Sequence, residues 1–174
     1  MTVLLALDHR LFLVINHLQG GPIFDALCLW GTELGTIVGT ALALILYFLR
    51  APRPLRFRRL GLLASIVAFA GLMNTVIKQM VQRERPPLVL PETLVLGPRL
   101  TLFSFPSGHC VMSFSLLAVL LVIDKPLGIA WLPIAFFVGF SRMYLGVHFP
   151  SDVLFGAAFG FFGVYPLAKR VWAR

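Results

Sequence analysis

Apolar positions in this chain neither alternate nor repeat as one helical stripe; they form long runs broken by short polar clusters. Crossing ~30 Å of hydrocarbon takes roughly 20 helical residues. Five runs come close to that length, at about 24–49, 60–80, 107–123, 129–145 and 152–168. A sixth, over 3–18, holds Asp8, Arg10, Asn16 and His17, and suits the membrane interface as well as it suits a span. The pattern therefore predicts an all-α, integral membrane helical bundle of five or six spans.

Composition points the same way, with 59% hydrophobic and 13% charged residues and a mean hydropathy of +0.90. At 174 residues, with no Ser/Gly linker and no internal repeat, 1–174 reads as a single membrane-embedded domain. Residues 1–20 form its amphipathic or first transmembrane helix. They lack a basic leading region and a small-residue cleavage site, so this segment is expected to be retained.

Charge sets the expected orientation. Arg50, Arg53, Arg56, Arg58 and Arg59 crowd the connection after the first run, and Lys169, Arg170 and Arg174 follow the last. Short cytoplasmic loops carry such excess, so both belong inside, together with the Asp124-Lys125 turn. The loop 81–105 and the turn 146–151 then fall outside. In a bacterial inner membrane this face looks toward the periplasm or exterior. The net charge of +8 is thereby explained without nucleic acid.

The remaining charges gather on that outer face. Lys78 and Arg85 precede a Pro106-Ser107-Gly108-His109 segment, and Arg142, His148 and Asp152 come later. Intramembrane charges are expensive and mark sites by default. Three cations suit a group carrying two negative charges, and arginine forks match phosphate oxygens in pairs. Ser107 is placed to cap the following helix and Gly108 to let backbone approach an anion at its positive end. Neighbouring cations favour a neutral, nucleophilic His148. Asp152, four residues on, is expected to accept from its other ring nitrogen, which leaves His109 as general acid. His109, His148 and Asp152 are also a possible metal set, against which the three cations weigh. No cofactor or metal is expected.

These segments, K-x6-R-P, P-S-G-H and S-R-x5-H-x3-D, resemble at every constrained position the three-part signature of the type 2 phosphatidic acid phosphatase superfamily. The signature covers 78–152. The resemblance implies that His148 carries the phosphoryl group covalently, Asp152 orients it and His109 protonates the leaving oxygen. Lys78, Arg85, Ser107, Gly108 and Arg142 would hold the phosphate, and no metal would be needed. It further implies a lipid phosphatase whose site lies at the outer membrane–water interface. The substrate would be lipid A 1-phosphate, undecaprenyl diphosphate or phosphatidylglycerophosphate, taken sideways from the bilayer, with no obligatory protein partner. A lipid transporter or scramblase with a phosphate-binding site is the alternative, though it would not require a paired nucleophile and acid.

Other polar residues have quieter expected roles. Glu33 is expected to pair with Lys78 or Arg142, Asn74 to make a helix-packing hydrogen bond, and Arg99 to meet a second phosphate or headgroup. Cys28 and Cys110 read as apolar packers, and Gly156, Gly160 and Gly163 as a close-packing stripe.

Overall fold

The computed structural model describes residues 3–18, 20–51, 56–97 and 102–172, without the side chains of Arg56, Arg58 and Leu62. Arg53, Arg99 and Arg174 lie outside the described residues. Among the described residues, eight α-helices and one 3-10 turn follow one another. They are α1 Val3–Asn16, α2 Gly21–Gly31, the turn Thr32–Gly35, α3 Ile37–Arg50, α4 Arg56–Val81, the short α5 Pro86–Val89, α6 Gly108–Ile123, α7 Lys125–Tyr144 and α8 Pro150–Trp172. No strand occurs among the described residues.

Helix α6 is the centre of the bundle. Val111, Leu116, Leu117, Ala118, Val119 and Leu120 are buried in a core shared with Leu63, Val67 and Ala70 of α4, Trp131 and Ala135 of α7, and Val153, Val164 and Ala168 of α8. A helix apolar on every face belongs inside a bundle, which is why this 16-residue element suits the centre. Helix α8 lies close against it because Gly156 and Gly160 have no side chains: a Cβ would stand 2.7 Å from the Ser107 carbonyl oxygen at Gly156 and 2.5 Å from that of Val111 at Gly160. Gly163 is not part of this contact, since a Cβ there would meet only Phe159, at 3.9 Å.

Three stretches are each long and apolar enough to cross a membrane, Arg59–Val89, Lys125–Tyr144 and Pro150–Trp172. The apolar α3 and α6 are shorter, at 14 and 16 residues. The run 24–49 is not one helix as expected. It breaks at Thr32–Gly35, and α3 restarts where Thr36 Oγ1 accepts the Val38 N–H at 3.1 Å.

Two ends of the bundle are defined by contacts. At one, Arg50 pairs with Asp124 at 2.8 Å and Arg59 lies 3.7 Å over the Trp172 ring, so the end of α3, the first turn of α4, the α6–α7 turn and the end of α8 share a side. At the other, α1 is tied at its middle and at its C-terminal end. Asp8 accepts from Arg83 and Ser151, Asn16 Nδ2 donates to the carbonyls of Leu94 and Tyr144, and the His17 ring meets the Glu92 carbonyl. At 1.5 Å per residue its 14 residues reach about 21 Å, and partners all on one face leave it lying across that face. It bends by 120° into Gly21–Gly35. With α2 and the 3-10 turn it forms a bent apolar pair, so three helices, or four with this pair, are long and apolar enough to cross a membrane among the described residues.

Candidate active site

Each charged residue arrives at this end for a local reason. Helix α4 stops after Val81 because Gln82 takes a left-handed conformation, φ +50°, which turns the chain back over the bundle. Lys78 in the last turn is thereby buried, and its Nζ donates to the carbonyls of Phe103, Ser104 and Pro106 at 2.7, 3.3 and 2.9 Å. Arg85 precedes Pro86 and reaches the carbonyls of Leu102, Phe103 and Val147 at 2.5, 3.2 and 2.8 Å. The two cations thus knit the end of the long loop to the α7–α8 turn. That turn needs a glycine: Gly146 sits at φ +78°, and a Cβ there would fall 2.3 Å from the Leu94 carbonyl oxygen.

His148 is at the centre, 2% exposed. Its Nε2 lies 3.4 Å from Arg85 Nη1. A guanidinium only donates, so this ring nitrogen is assigned the lone pair and Nδ1 the proton. Burial first, then the charges of Arg142, Arg85 and Lys78, pushes the imidazole well below its ordinary pKa. His148 is a neutral base with its lone pair toward the cations. The expected bond to Asp152 is not made: Nδ1 and Oδ2 stand 3.6 Å apart, beyond hydrogen-bond reach. Asp152 is engaged elsewhere. Its Oδ2 accepts the Phe149 N–H at 2.9 Å, reaching back across the first turn of α8, and its Oδ1 accepts Arg83 Nη1 at 2.6 Å.

The α6 end forms the opposite wall. Ser107 occupies the N-cap, but its hydroxyl makes no capping bond; its backbone N–H donates to the Asp152 carbonyl at 3.1 Å. Gly108 brings backbone beside Asn74, whose Nδ2 would be 3.2 Å from a Cβ there. Asn74 Oδ1 has no hydrogen-bond partner among the described residues, so the expected packing bond is not seen. His109, half-buried in the first turn, lies within electrostatic reach of Arg142, His148, Arg85 and Lys78. Arg142 donates from Nη1 to Thr32 Oγ1 at 2.9 Å, while its Nε is buried without a partner among the described residues. Glu33 forms no ion pair among the described residues; its carboxylate accepts from Thr36 Oγ1 at 3.3 Å. Cys28 and Cys110 are buried and free.

All eight residues picked out in the sequence thus lie at one end of the bundle. Sequence reasoning missed Arg83, Asp8 and Thr32. A signal for Asp8 was present, since Asp8, Phe12 and Asn16 recur every fourth residue and make one helix face.

The arrangement, an uncharged imidazole with its free lone pair beside buried cations and a helix N-terminus, is one that receives an anion and attacks it. Comparison with known proteins agrees. Residues 59–174 match the PAP2 superfamily. The chain belongs to that superfamily. It is 33% identical over 159 residues to the undecaprenyl-diphosphatase of Sulfolobus acidocaldarius, covering 87% of this chain and 72% of that one. It is also 33% identical over 122 residues to the bacitracin transport permease protein BcrC of Bacillus licheniformis, a match that spans 69% of this chain but only 59% of the relative. The crystal structure of Aquifex aeolicus LpxE superposes with a TM-score of 0.81 at 28% identity, covering 94% of this chain and 95% of the other. This superfamily member is thus a multi-pass membrane protein whose relatives include named phosphatases.

Proposed function

We propose that this PAP2 protein is a metal-independent lipid phosphatase that removes the terminal phosphate of a lipid phosphomonoester or diphosphate through a phosphohistidine at His148. The observation that carries the reading is the His148 environment: a buried, neutral imidazole whose Nε2 lone pair faces Arg85, with Lys78 and Arg142 close enough to act on its charge. In the first step Nε2 attacks phosphorus and the bond to the lipid oxygen breaks. His109, protonated when the dianionic substrate offsets the cations, gives its proton to that oxygen. Deprotonated His109 then takes a proton from water, which attacks the phosphohistidine and releases inorganic phosphate. Lys78, Arg85, Arg142 and the Ser107-Gly108 backbone stabilise the charge on the transferring oxygens, the main contribution in phosphoryl transfer.

The substrate is drawn from lipid A 1-phosphate, undecaprenyl diphosphate and phosphatidylglycerophosphate, and the site faces the periplasm of a bacterial inner membrane. The test is phosphate release from these three lipids by the purified protein, parent against His148→Ala, with acid quenching during turnover. Release by the parent, loss in the variant and a labelled His148 are expected. Turnover by His148→Ala within threefold of the parent would overturn the covalent role, and no release from any of the three lipids would overturn the function.

A further inference from the structure

Asp152 is the least accessible charge at the site, with no exposed surface. Arg83 Nη1 donates to Asp152 Oδ1 at 2.6 Å and to Ser151 Oγ at 2.7 Å, while its Nη2 donates to Asp8 Oδ2 at 2.7 Å. The guanidinium is clamped between two carboxylates and lies 4.1 Å over the Phe149 ring. Asp8, from α1, also accepts the Ser151 N–H at 2.9 Å and the Ser151 hydroxyl at 2.6 Å. Its neighbours His9 and Phe12 pack on Phe149, with ring centroids at 5.0 and 5.4 Å. Residues 149, 151 and 152, immediately after His148, are therefore all held from α1 or through Arg83.

We propose that Asp8 and Arg83 form a positioning pair that makes helix α1 part of the working site, by fixing the Asp152 carboxylate and the turn that carries His148. The proposal rests on the reading of His148 as nucleophile. A buried carboxylate needs a paired cation, and Arg83 is the arginine or lysine within ion-pair distance of Asp152 among the described residues. By occupying Oδ1, Arg83 leaves Oδ2 as the oxygen facing His148 Nδ1. Its bidentate reach requires Asp8: the Arg83 side chain is 21% exposed, and without a second carboxylate its fork is free to turn toward water. Neither residue touches the cations around the phosphate, so the pair acts on the orientation and charge of the nucleophile's partner. Substrate affinity should be spared.

The experiment is steady-state kinetics on the full-length protein with whichever of the three lipids the parent hydrolyses fastest. Residues that orient a reacting group from one bond away are worth ~10–100-fold in activity. Arg83→Gln should lower kcat about 100-fold with KM within about threefold, and Asp8→Asn should lower kcat about tenfold. Arg83→Lys should recover at least about a tenth of the parent rate, since it restores the cation without the fork. Because the two residues act as one unit, Asp8→Asn with Arg83→Gln should be no slower than Arg83→Gln alone. Should Arg83→Gln fail to fold, the nearly isosteric Asp8→Asn decides by itself. Asp8→Asn turnover within twofold of the parent, losses that multiply in the double variant, or an effect confined to KM would each overturn the pair. Those results leave phosphate release by the parent and its loss in His148→Ala untouched, so the function and the pair fail separately.

Discussion

His148 shows how one residue is specified by its surroundings. Its folded pKa lies well below the usual ~6.5 through burial and three cations. The unfolded chain therefore binds a proton at that histidine as pH falls below about 6.5, whereas the folded protein does not. Stability is complete above that pH and declines as pH falls toward the folded value, by up to about 1.4 kcal/mol per pH unit for this one group. His148→Gln should flatten the dependence of the unfolding midpoint on pH between 6.5 and 5; an unchanged slope would mean that the folded protein protonates His148 normally. The same surroundings keep His148, the proposed nucleophile, deprotonated, so activity should not fall with an apparent pKa near 6.5 on its account. If the proposed mechanism holds, with fixed cations in place of a metal stabilising the transferring group, vanadate should inhibit and chelators should not, as phosphate-release assays with each reagent would show. The choice of eight residues was legible in the sequence; the partners were not. His148 and Asp152 are separated by one helical turn, a spacing that allows a hydrogen bond, but Asp152 is drawn instead to the Phe149 N–H and to Arg83, whose closeness arises only when the chain turns back at Gln82.

Among elements, the α6–α8 contact controls the site. Gly160 places the Val111 carbonyl of α6 2.5 Å from where a Cβ would be, and Gly156 does the same for Ser107 at 2.7 Å. Because the obstacle is backbone, it cannot rotate away. Gly160→Val should cost about 1–3 kcal/mol through overpacking and lower the thermal midpoint in detergent, whereas Gly163→Ala, with room to spare, should leave it unchanged. Equal midpoints for the two variants would show that the helices separate without penalty. Gly156→Ala pushes on the Ser107 carbonyl and should reduce kcat as well as stability, measured as phosphate release after correction for folded fraction. The small-residue stripe was legible as a packing face, but its extent was not, since periodicity places Gly163 near the stripe and only the path of α6 leaves it outside. The break at Thr32–Gly35 was hidden for a similar reason: an apolar run has the same composition whether the helix continues or tightens. At that break Thr32 meets Arg142.

For the whole molecule, sidedness is the consequence to test. Arg50, Asp124, Arg59 and Trp172 meet at one end, and Glu92, Asp8 and the eight candidate site residues at the other. With Cys28 and Cys110 replaced, Glu92→Cys should react with an impermeant maleimide in spheroplasts, and Lys125→Cys only after the membrane is breached. The reverse labelling would turn the site to the cytoplasm. The sequence by itself determined that the chain is a helical membrane protein, since apolar runs cannot satisfy their backbone in lipid in any other open form. It also determined the sharing of ends, because arginine excess and site charges fall in alternate connections, and the eight residues of the signature. Only the tertiary structure decided that α1 lies across the site end, since a 14-residue helix of mixed polarity is compatible with either placement until its partners are known. It alone brought Asp8, Arg83 and Asp152 together from three distant parts of the chain, because side chains 69 and 75 residues apart become neighbours through packing and not through any local pattern.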